Sequence, residues 1–102
     1  MKDLGALQRM ARDMQAKMEK AQAELAELTV EGSAGGGAVI VVVTGTQEVR
    51  DVRIQRDAVD PEDVETLQDL VLAAMADGLA RSKALQAERL GGVTGGLKIP
   101  GF

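Results

Sequence analysis

The sequence predicts an α+β protein of order α-β-β-β-α, with a three-stranded antiparallel meander between two long helices, and three observations carry that prediction. An aliphatic seam of alternating three- and four-residue spacing runs through the N-terminal quarter, a β-branched run sits between glycine turns, and Asp60-Pro61-Glu62-Asp63 opens a second helical pattern. At 102 residues the chain suffices for one domain. Its 45% hydrophobic and 27% charged residues are ordinary for a globular protein, but aromatics are 1%, Phe102 alone, so the core must be aliphatic.

The seam comprises Leu4, Leu7, Ala11, Met14, Met18, Ala21, Leu25 and Leu28, an a/d pattern filled in by helix formers, with Asp13 and Lys17 at the favourable i,i+4 offset. It predicts a helix that ends near Leu28. The methionines on it serve as adaptable packing. Thr29 to Gly32 then reads as a short strand, Ser33 to Gly37 as a glycine-rich turn, and Ala38 to Thr44 as the strongest strand in the chain. After a turn at Gly45-Thr46, the segment from Val49 to Gln55 alternates Val52 and Ile54 against Asp51, Arg53 and Gln55, as in a strand with one wet face. Asp60 as N-cap, Pro61 at the first helical position and acids in the first turn start the second helix. Val64, Leu67, Val71, Ala74, Met75, Leu79 and Leu85 form its apolar set, and Gly91-Gly92 stops it. This divides the chain into one domain over residues 1–90 and a flexible glycine-rich tail over residues 91–102.

Composition narrows the function. With no Cys and no His, the chain lacks a disulfide, a thiolate nucleophile, an imidazole base and the ligands preferred by zinc, copper and haem iron, so no enzyme, cofactor or metal site is expected. The acids Asp57, Asp60, Glu62, Asp63, Glu65 and Asp69 suit a helix N-terminus and have no EF-hand spacing. Gly35, Gly36 and Gly37 lead into a strand with no Lys-Ser/Thr after them, which argues against a nucleotide loop and a small-molecule substrate. No stretch reaches the roughly 18 apolar residues of a membrane span, and no secretory segment opens the chain, so a cytoplasmic protein without membrane contact is expected.

Helices of roughly 37 and 45 Å cannot both lie inside a globule whose radius of gyration is about 13 Å, so they must project from the sheet. A lone three-stranded sheet cannot cover Val39, Ile40, Val41, Val42 and Val43 on both faces, which predicts a homodimer joined through these residues. Packing the helices as an antiparallel hairpin brings both chain ends together and sorts the charge. Residues 1–20 and 78–102 hold nine cations against four acids, net +5, whereas residues 21–77 hold three against twelve, net −9, within an overall charge of −4. On the heptad, Lys2, Arg9, Arg12 and Lys20 point away from the seam. Two such prongs in a dimer suit a polyanion.

These residues together resemble the small bacterial nucleoid-associated proteins of the YbaB/EbfC family. The resemblance spans nearly the whole chain and is carried by Gln8-Arg9-Met10-Ala11-Arg12-Asp13-Met14-Gln15-Ala16-Lys17-Met18, the glycine turn before a Val/Ile strand, Val52-Arg53-Ile54, Leu67-Gln68-Asp69-Leu70-Val71-Leu72-Ala73-Ala74 and the ending Gly96-Leu97-Lys98-Ile99-Pro100-Gly101-Phe102. It implies a tweezer-shaped homodimer, a place in the nucleoid, and binding of double-stranded DNA through the helix tips. By position, those tips carry Lys2, Arg9 and Arg12 with Arg81, Lys83 and Arg89, and the charge reading adds Lys17 and Lys20. The absence of aromatic platforms favours duplex over single strands, and phosphate contacts predict weak sequence preference. The alternative is a prefoldin-like protein-binding or chaperone module, which also joins two helices through a small β element but grips clients with apolar tips.

Overall fold

The computed structural model describes residues 3–93, and the elements follow in the predicted order. Helix α1 spans Asp3–Glu27, strands β1, β2 and β3 span Thr29–Ala34, Val39–Thr44 and Val49–Ile54, and helix α2 spans Val64–Val93. The sheet is antiparallel in the order β1-β2-β3. β1 is longer than predicted because its last residues Ser33 and Ala34 pair with Ile40 and Val39. The turn that follows is glycine for a conformational reason: Gly35, Gly36 and Gly37 all have positive φ. A short 3₁₀ turn at Arg56–Ala58, unforeseen in the sequence, links β3 to α2.

The start of α2 differs instructively from expectation. Asp60 does not cap the helix; its carboxylate accepts from the Glu62 N–H (2.9 Å) and its carbonyl from the Asp63 N–H (2.9 Å), closing a tight turn with Pro61 in its second position. The cap is Asp63, which accepts from the Thr66 N–H (3.3 Å) and the Thr66 hydroxyl (2.6 Å). Proline's fixed φ suits the second position of a turn as well as the first of a helix, so the same four residues spell either. At the other end, α2 runs through Gly91 and Gly92 to Val93 where a stop was predicted. Two glycines cost about 2 kcal/mol of helix propensity, yet the helix continues through both. Of the expected tail, residues 94–102 lie outside the described residues, as does Lys2.

Strand alternation builds the core. Val39, Val41 and Val43 are fully buried against Ala74 of α2, ringed by Val30, Ala34, Leu67, Leu70, Val71, Met75 and Leu79. α2 lies over β1 and β2 at backbone distance: a Cβ on Gly32 would collide with the Gly78 nitrogen and the Ala74 carbonyl. The predicted joining strand is thus divided. Val39, Val41 and Val43 face the chain's own helix, and only Ile40 and Val42, half-buried on the other face, remain for a second copy. That outer face is crossed by Arg53, which pairs with Asp51 (3.1 Å) and Glu31 (3.9 Å). β3 is exposed along its whole length, including Val49, Val52 and Ile54.

Candidate nucleic-acid interface

Two anchors fix the helices on the sheet, and everything beyond them forms an arm. On α1, Leu25 is fully buried and its carbonyl accepts from the Gly45 N–H (2.9 Å), while Arg50 donates to the Ala26 carbonyl (3.0 Å). On α2, the buried Ser82 hydroxyl donates to the Thr44 carbonyl and accepts from the Gln47 N–H (3.2 Å) and Nε2 (2.9 Å). Gln47 itself is held at φ +64, a conformation that these bonds secure. In the sequence, Gly78 and Ser82 read as small residues that let a partner backbone come close, but the identity of that partner, Thr44 and Gln47, is not legible there.

From these anchors α1 extends roughly 33 Å toward its start and α2 roughly 16 Å toward its end, at 1.5 Å per residue. The two run antiparallel, and Val93 comes to rest beside Met10, Asp13, Met14 and Lys17. The long axis of the molecule reaches 74 Å against 26 and 16 Å across. The α1 seam is buried in proportion: Ala21 and Leu25 are buried, Met14 and Met18 half-buried, and Leu4, Leu7 and Ala11 exposed.

On this arm Lys17 and Lys20 of α1 and Arg89 of α2 line one groove of about 370 Å³, with Ala21, Glu24, Gly92 and Val93. Lys20 and Arg89, with Glu24, also border a second groove, beside Ala23, Glu27 and Leu28. Arg9 and Arg12 stand exposed further out on α1. Among the described residues, Arg9, Arg12, Lys17, Lys20, Lys83 and Arg89 make no ion pair, so their charge is available to an external anion.

Two predicted tip residues are placed elsewhere. Arg81 is held by Asp77 (3.1 Å), whose carboxylate also accepts from the Ser33 N–H (3.0 Å) at the sheet. The Ser33 N–H and the Arg81 guanidinium hold the Asp77 carboxyl below its ordinary pKa. Lys83 follows the Ser82 clasp and is exposed at the root of the arm. Charge sorting and position in the family resemblance group Arg81, Lys83 and Arg89 together; the anchor at Ser82 separates them. Within the described residues the arm segments 3–20 and 78–93 hold seven cations against four acids, net +3, while residues 21–77 keep their net −9. No three potential metal-ligating residues cluster among the described residues, and no helix there is long and apolar enough to cross a membrane.

A model of the YbaB/EbfC DNA-binding family matches residues 1–97. Among proteins similar to this chain, a nucleoid-associated protein of Syntrophobacter fumaroxidans is 55% identical over 89 residues, covering 87% of this chain and 81% of its own. Another from Gluconobacter oxydans is 50% identical over 100 residues, covering 98% and 94%. The crystal structure of an uncharacterized protein from Helicobacter pylori superposes with a TM-score of 0.69 at 23% identity, covering 86% of this chain and 89% of that one, a likeness of fold.

Proposed function

The chain belongs to the YbaB/EbfC DNA-binding family, and from that premise we propose that it acts as a homodimeric nucleoid-associated protein of the cytoplasm, not an enzyme, whose arms hold double-stranded DNA by its phosphates with little regard to sequence. The supporting observation is the groove where Lys17, Lys20 and Arg89 converge without ion pairs. Arg9 and Arg12 extend the basic surface outward, and the acidic body repels the polyanion from the sheet. Pairing along the uncovered strand β3, with its exposed Val52 and Ile54 buried, would set two such arms side by side.

If about six phosphates are neutralised per dimer, affinity falls with salt at a log–log slope near −5. Gel shift across a salt series checks this: Arg9→Glu and Arg89→Glu each weaken binding and flatten the slope, whereas equal binding by wild type and both variants removes the proposal. A second reading is favoured by Leu4, Leu7 and Met10, which give the arm an apolar end of the sort a prefoldin-like client binder uses. Suppression of client aggregation together with an absent DNA shift would select it.

A further inference from the structure

Lys20, Arg89 and Glu24 are shared by the two grooves of the arm, and of the three only Glu24 is at odds with an anion site. The flank changes character across it. Outward lie Lys17 and Val93; inward, in the second groove of about 580 Å³, lie Glu27 and Leu28, and no cation beyond the shared pair lines that inner groove. The exposed Glu24 carboxylate makes no ion pair among the described residues, although Lys20 precedes it by one turn. A lysine placed before the glutamate is the weaker order for such a pair. The next residue, Leu25, is where α1 is fastened to the sheet.

We infer that Glu24 is a specificity-determining stop: it ends the phosphate track at the mouth of the second groove and holds a duplex to the part of the arm outside Leu25. This rests on the reading of the arm as a duplex-binding surface. An unneutralised carboxylate repels phosphate close by, but its reach among exposed charges is a Debye length, about 8–10 Å. Lys17 lies about 10 Å further out along the helix, at the edge of that range, so the outer cations keep their attraction while the inner end of the groove loses it. The acidic body thereby gains a sharp boundary at one side chain.

Glu24→Lys replaces the stop by a contact. With one phosphate gained on each arm of a dimer, the log–log salt slope steepens by about 2, from near −5 to near −7, and duplex binding at about 0.1 M salt tightens by about tenfold or more. Glu19→Lys makes the same charge change on α1 outside both grooves and should leave the slope as in wild type, and circular dichroism checks that both variants stay folded. Position is read separately. The chain has no cysteine, so Gly92→Cys in the outer groove and Ala23→Cys in the inner one each carry a single photo-cross-linker. The duplex should cross-link to the Gly92→Cys protein and not to the Ala23→Cys protein, and adding Glu24→Lys to the latter should bring it in. Equal gains from Glu19→Lys and Glu24→Lys, or efficient cross-linking to Ala23→Cys with Glu24 intact, overturn the inference. A wild type that binds with the expected salt slope while Glu24→Lys changes nothing overturns it alone; a wild type that shifts no duplex removes the premise with it.

Discussion

At Gly32 and Gly78 helix and sheet touch through backbone alone, so α2 can settle on β1 without an intervening side chain. Gly32→Ala forces the helix off the strand and should cost about 1–3 kcal/mol in denaturant unfolding, the usual range for overpacking. Gly91→Ala is the contrast: an added Cβ there would meet no atom within 4 Å, and the variant should gain helix propensity. Asp77 gives a pH signature. Its carboxyl is held below the ordinary value of 3.8 by the Ser33 N–H and by Arg81, so the folded state binds the proton more weakly than the unfolded chain. The resulting stability is fully present above 3.8 and is lost as pH falls through the lower folded value. Thermal melts from neutral to strongly acidic pH should show Asp77→Asn less stable at neutrality and less sensitive to acid than the wild type.

Elements were legible in the sequence to the extent that one periodicity had one meaning. The β-branched stretch in β2 and the three/four seam in α1 each admit a single geometry, and both formed. Asp60-Pro61-Glu62-Asp63 admits two, and the backbone bonds of Asp60 chose the turn, moving the cap to Asp63. Asp63→Ala should therefore fray the first turn of α2 and lower the melting temperature by several degrees, while Asp63→Asn, which keeps an acceptor, should lose less; circular dichroism reads both. The alternation within β2 was visible, but not which face the helix would take. That is why the sequence reading takes Val39 to Val43 together as the joining surface, where the structure sets Val39, Val41 and Val43 against α2. Hydrophobic content says that a strand is buried and is silent on whether its own chain or another covers it.

The whole molecule separates charge along its length, and this was readable once the two helices were placed antiparallel; the resulting surface needs no special residue, only topology. What sequence could not supply was where the arm begins, since the Ser82 clasp is built from residues far apart in the chain, and so Arg81 was counted with the tips. The uncovered edge strand predicts that Val52→Asp with Ile54→Asp yields a monomer by sedimentation while the helical signal persists, and that duplex affinity drops with the lost second arm. The fastening of α1 to the sheet at Leu25 and Gly45 has a mechanical corollary. With roughly 33 Å of helix beyond that pivot, a tilt of about 10° displaces the free end by roughly 6 Å, more than a full helical pitch. Small rearrangements at a glycine contact are thereby magnified at the far end of the arm without unfolding any of it.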